Sequence, residues 1–93
     1  MRATIATIAG ETGLAAESAG DLDAAVRWWR RATEAGSTNA MVGDRFSIWL
    51  ARNHQFAEAE AVLRQALKVE PGSAAVANRM RRRLARCERQ GPI

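Results

Sequence analysis

The chain has no tyrosine, two prolines, one histidine and a single cysteine, Cys87, in 93 residues. One cysteine excludes an internal disulfide. With one His and one Cys there is no zinc-ligand spacing, and no Cys–His nucleophile pair is assured. No glycine-rich phosphate loop occurs, and the carboxylates are scattered over faces expected to be solvated. No apolar run approaches the roughly 18 residues that a membrane span needs, and no charged start leads into a long apolar segment. The expectations are no catalysis, no metal, no cofactor, no membrane contact and a reducing, cytoplasmic setting.

What is present favours helices. Hydrophobic residues make up 47% and charged residues 26% of the chain, a balance that suits a globular rather than a disordered protein. The chain is rich in Ala and Arg, and Ala, Leu, Glu, Arg and Gln are all good helix formers, so the fold class is all-α in one domain, 1–93. A domain this small buries only about 60–65% of its unfolded surface. The net charge of +4 is uneven. Residues 1–72 hold eight basic and nine acidic side chains, whereas the stretch from Ser73 onward holds six Arg and one Glu.

The chain repeats itself at an offset of 34 residues. Leu22 falls on Phe56, Ala25 on Ala59, Trp29 on Leu63 and Ala32 on Ala66. Upstream, Ile8 aligns with Val42 and Gly13 with Ser47; downstream, Val42 aligns with Val76, Phe46 with Met80 and Leu50 with Leu84. A fixed period of this length containing two helical patterns implies stacked helix pairs. Five helices are expected, near 4–18, 22–35, 39–52, 56–69 and 73–89. Gly20, Gly36 and Asn53 are candidate left-handed stops, Asp21 and Ser73 candidate N-caps, and Gly91-Pro92 closes the last helix.

The stretches "GDLDAAVRWWRRA" and "HQFAEAEAVLRQALKVEPGS" resemble the second helix of a tetratricopeptide repeat (TPR): a small residue, a large apolar one four later, an alanine three beyond that, and a closing proline. Ala25, Trp29 and Ala32 fit this pattern, as do Ala59, Leu63, Ala66 and Pro71. "WWRRATEAGSTNA" adds a Sel1-like flavour to the first repeat. The first helices carry Ala9 and Gly43 where the family has its signature Trp. The resemblance implies a short right-handed α-solenoid: repeat 1 over 6–39, repeat 2 over 40–73 and a capping helix over 74–90. It also implies a protein–protein interaction module, an adaptor or scaffold. The two-carboxylate clamp of some TPR domains is not carried over, because Gly10 and Leu14 stand where Lys and Asn would be, and only Arg79 matches.

Two adjacent tryptophans cannot share a helix face. Leu22, Ala25, Val26, Trp29 and Ala32 form one stripe, which makes Trp29 core. Trp28 lies about 100° away, and two roles stay open for it: packing against a neighbouring helix, or an exposed secondary anchor for a partner. Trp49 groups with Val42, Phe46 and Leu50 as core, and Cys87 with Val76, Met80 and Leu84 as a buried small hydrophobe. His54 falls in an inter-helix turn.

In stacked pairs the first helices line a groove. Thr7, Glu11, Leu14 and Ser18 would face it from the first helix, Met41, Arg45, Ile48 and Arg52 from the third, and Ala75, Arg79, Arg82 and Arg86 from the last. Arg79, Arg82, Arg83 and Arg86 crowd along one side of their helix, and an anionic partner would relieve the repulsion. The candidate partner groove is therefore Leu14, Met41, Arg45, Ile48, Arg52, Arg79, Arg82 and Arg86, suited to an acidic protein segment. Three other readings stand beside it: an Arg-rich helix that only keeps the end of the stack soluble, a nucleic-acid-associated accessory that puts the same arginines on phosphates, and a self-associating scaffold piece.

Overall fold

Helix boundaries in this chain are set by caps and by left-handed stops. In the computed structural model, which describes residues 2–69 and 71–90, five helices occur: α1 (Arg2–Ser18), α2 (Leu22–Glu34), α3 (Ala40–Arg52), α4 (Phe56–Ala66) and α5 (Ala74–Gln90). Asp21 caps α2, its Oδ1 accepting from the Ala24 amide at 3.1 Å. Asn39 caps α3 through Oδ1, which accepts from Met41 N at 2.9 Å and Val42 N at 3.4 Å. The Ser73 hydroxyl accepts from Val76 N at 3.3 Å at the start of α5. Each cap satisfies backbone donors that the first turn leaves without a partner. The protein is all-α, with no strand among the described residues.

Three helices end the same way. Gly20, His54 and Gly36 adopt φ of 85°, 59° and 89°. The amides of Asp21, Gln55 and Ser37 then reach back to Ala16 O, Leu50 O and Ala32 O at 2.9, 2.8 and 3.0 Å, closing the last turn. The left-handed residue after α3 is thus His54 rather than Asn53, whose φ is −99°. His54 lies 34 residues after Gly20, so the stop itself obeys the period. Helix α4 stops at Ala66, three residues before the expected end, where Lys68 N bonds Gln65 O at 3.2 Å and tightens the turn ahead of Pro71. The stop expected at Gly91-Pro92 lies outside the described residues.

Packing follows chain order, with α1 against α2, α2 against α3, α3 against α4 and α4 against α5. Helix α3 also touches α1 and α5, so it contacts every other helix. The repeat positions of the second and fourth helices are equally buried: Ala25 with Ala59, Trp29 with Leu63 and Ala32 with Ala66 are all at most 2% exposed. Phe46 and Met80 match likewise, both fully buried. Trp29 and Phe46 meet with ring centroids 6.4 Å apart. Trp49 is not central; it lies half-buried at the edge of this cluster.

Helix α1 departs from the pattern. Its buried positions are the small residues Ala6, Ala9, Gly10 and Gly13, while Ile5 and Ile8 are 51% and 58% exposed. Ile8 therefore does not share the buried state of Val42, and Leu22, at 45% exposed, leaves the α2 stripe. The cause is Trp29. A Cβ at Gly13 would lie 2.5 Å from its Cδ1, so the indole occupies the space a larger α1 residue would need. The same close approach recurs in the next pair, where a Cβ at Gly43 would fall 2.5 Å from the Ala66 Cβ.

Candidate functional site

Charge is distributed unequally over the helices. On α2 and α4 four arginines are balanced by four carboxylates, and two of the arginines are used to tie helices together. Arg30 grips Glu58 with two bonds of 2.9 and 3.0 Å, and Arg64 bonds Glu88 of α5 at 2.7 Å while sitting 3.1 Å from Glu60. The Gln65 amide donates to Thr33 O and Ser37 O, both at 2.9 Å, tying α4 to the end of α2. These contacts hold helices together and leave little unbalanced charge on that side.

The opposite situation holds where α5 crosses α3. Helix α5 is seated by Met80 and Cys87, both essentially fully buried. That seating directs Arg79 and Arg83 at Asp44, which is 3% exposed. Arg79 Nη2 donates to Asp44 Oδ2 at 2.9 Å, and Arg83 Nη1 donates to Oδ1 at 2.7 Å and to the Ser47 hydroxyl at 3.1 Å. Burial pushes the Asp44 carboxyl up, but the hydrogen bonds and positive charge of the two guanidinium groups outweigh it and hold the group below the usual carboxylate range. One buried anion thus meets two cations, leaving a positive excess at the α3/α5 seam.

Beyond that seam Arg52, Arg82 and Arg86 meet no carboxylate among the described residues. Arg52 and Arg86 are exposed and carry no ion pair among the described residues. Arg82 makes only a long bond to the Asn78 carbonyl, 3.5 Å. Two adjoining hollows share this surface. One, of about 310 Å³, is lined by Arg79, Arg82, Arg83 and Arg86. The other, of about 280 Å³, takes Ile48, Ala51 and Arg52 from α3, Phe56 from α4, and Arg83, Arg86 and Cys87 from α5.

The structure thus brings together Ile48, Arg52, Arg79, Arg82 and Arg86 of the expected groove. It does not bring the rest to the same place. Arg45 points to Glu17 of α1 at 3.7 Å, Leu14 packs half-buried against the core, and Met41 is 42% exposed away from both hollows. The expected crowding of Arg79 and Arg83 is relieved internally by Asp44, so these two are not free for a partner. Asp44, Phe56 and Cys87 join this surface without being expected there from sequence. Asp44 carried one usable signal, because it is the only carboxylate on α3 and lies three residues from buried Ser47.

Trp28 is half-buried and packs against the core, with Arg31 5.8 Å above its ring. Together with Ile5, Ile8 and Ala9 it lines a third hollow of about 210 Å³ on the α1/α2 side. His54 is exposed and meets Phe56 edge to face at 5.6 Å. Burial, with Glu60 nearby, raises the Cys87 thiol above its ordinary value despite the opposing charge of Arg83 and Arg86. Among the described residues no helix is long and apolar enough to cross a membrane. No protein-family model matches this chain, and neither does any curated protein or solved structure.

Proposed function

We propose that the chain is a non-catalytic interaction module of tetratricopeptide type, a right-handed stack of two helix pairs capped by α5, which holds an acidic segment of another protein across the α3/α5 face. The observation that carries this reading is the contrast in charge. Helices α2 and α4 together carry four arginines and four carboxylates, with Arg30 and Arg64 paired to Glu58 and Glu88, whereas α3 and α5 carry eight arginines and two carboxylates, and Arg52, Arg82 and Arg86 meet no carboxylate among the described residues. A carboxylate offered by a partner would find planar, two-pronged donors already held on helices. Asp44 shows in miniature how the surface treats an anion, since two α5 arginines converge on it. One buried thiol and no second cysteine suit a reducing, cytoplasmic setting.

The test is fluorescence anisotropy with a labelled, capped glutamate-rich peptide. Wild-type protein should bind it, and the Arg82→Glu/Arg86→Glu double reversal should abolish binding with the helical circular dichroism unchanged. Retained binding in a folded double reversal removes the α3/α5 face as the site.

A further inference from the structure

The arginine surface is not uniform, and one part of it has apolar side chains at its floor. The hollow between α3 and α5 has a floor of Ile48, Ala51, Phe56 and Cys87, with cationic rims at Arg52 and Arg86. Arg83 also lines it, but its guanidinium is committed to Asp44 and Ser47 and its side chain is only 14% exposed. The chargeable part of the site is therefore two exposed arginines, one on each helix, with apolar surface between them. Over those four side chains water finds polar partners only at the arginine rims, and an aliphatic side chain laid on the floor would displace it favourably. The hollow's volume of about 280 Å³ is ample for one such side chain.

We infer that this hollow is an anchor site for a leucine-sized aliphatic residue flanked by carboxylates on an acidic partner segment. The inference rests on the proposed acidic-segment reading and narrows it, because charge alone no longer defines the ligand. The aliphatic residue fills the space over Ile48, Phe56 and Cys87, and its neighbouring carboxylates reach Arg52 and Arg86. A nucleic acid fits this geometry poorly. The hollow has one aromatic ring, Phe56, which is half-buried and already in contact with His54, so no series of rings is offered on which successive bases could stack.

Three labelled probes test it by anisotropy on the full chain: a capped glutamate peptide with a central leucine, the same peptide with glutamine in place of that leucine, and a single-stranded oligonucleotide of equal charge. The leucine peptide should bind about tenfold or more tighter than the glutamine peptide, the size expected for burying one aliphatic side chain. Ile48→Gln should erase that preference, Ile48→Val should keep it, and Arg52→Gln/Arg86→Gln should weaken both peptides. The comparison of the two peptides on unaltered protein decides the matter even if Ile48→Gln does not fold. Equal affinity for both peptides overturns the anchor while leaving the acidic reading standing. Binding of neither peptide overturns both. An oligonucleotide that binds more tightly than both peptides overturns the assignment to an acidic peptide in favour of phosphate.

Discussion

Replacing Gly13 by alanine would put a methyl group 2.5 Å from Cδ1 and 2.7 Å from Nε1 of Trp29, and 3.2 Å from the Ala25 carbonyl oxygen. Overpacking of this kind costs about 1–3 kcal/mol. Against it stands the helix-propensity gain of about 1 kcal/mol for Ala over Gly. Gly13→Ala should therefore lower stability by a net amount of about 0–2 kcal/mol. Trp29→Leu, which installs the residue found 34 positions later, should cost about 2–3 kcal/mol for lost contacts and the cavity left behind. Part of that is returned, because the Trp29 indole N–H is buried without a hydrogen-bond partner. In the Trp29→Leu background the Gly13 methyl has room, so the double variant should be more stable than the sum of the singles by about 1–3 kcal/mol. Urea unfolding followed by helical circular dichroism completes the cycle without relying on tryptophan emission. Additivity within about 0.5 kcal/mol, or Gly13→Ala stabilising the wild type by the full propensity gain, would refute the close approach of α1 to Trp29.

Asp44→Ala should destabilise by about 2–3 kcal/mol, below the range for a fully buried pair because Arg79 is half-exposed. Asp44→Asn should also be less stable, yet it should bind a glutamate-rich peptide more tightly by anisotropy, since two arginines lose their internal anion. Because the Asp44 carboxyl is held below its ordinary value in the fold, its stabilisation is complete above about pH 5, where the unfolded group is ionised, and is lost as pH falls through the ordinary value to the lower folded one. An acid titration of the unfolding midpoint should show this loss in wild type and not in Asp44→Asn. Cys87, at 1% exposure and with a raised thiol, should react with a disulfide reagent only through opening of α5, and so markedly faster in Asp44→Ala. His54→Gly should stabilise by about 0.5–1 kcal/mol, the left-handed backbone cost of a residue with a Cβ less its edge contact with Phe56, read as a rise in thermal midpoint.

The helices and much of the core were legible because they are written periodically. Ala25, Trp29 and Ala32 recur as Ala59, Leu63 and Ala66 with the same burial, and Asp21 and Ser73 cap where short polar side chains precede an apolar run. Helix α1 defeats an apolar count because its buried face is made of small residues, Ala6, Ala9, Gly10 and Gly13, with Trp29 supplying the bulk opposite Gly13, while Ile8 lies off that face. The stop after α3 falls one residue beyond Asn53: Asn and His both tolerate left-handed backbone, and only the register with Gly20 separates them. The arginine strip was legible as composition, and Ile48, Arg52, Arg79, Arg82 and Arg86 do gather. Its internal division was not. Asp44 meets Arg79 and Arg83 across 35 and 39 residues, and contacts at that separation leave no local pattern to read.

That division also explains why the arginines of α5 are not equivalent. Arg79 and Arg83 anchor the helix to α3, whereas Arg82 and Arg86 lie on its solvent side and give the surface its unpaired charge. Reversing Arg79 would therefore confound folding with binding, and the informative reversals are those at Arg52, Arg82 and Arg86.

Amide resonances offer the most direct view of whether acidic segments are held between α3 and α5. Titration of a capped glutamate-rich peptide into isotope-labelled protein should shift amides around Ile48–Arg52 and Arg82–Cys87, with those of α2 unchanged. Shifts confined to α2 and α4, or none at saturating peptide, would contradict the account.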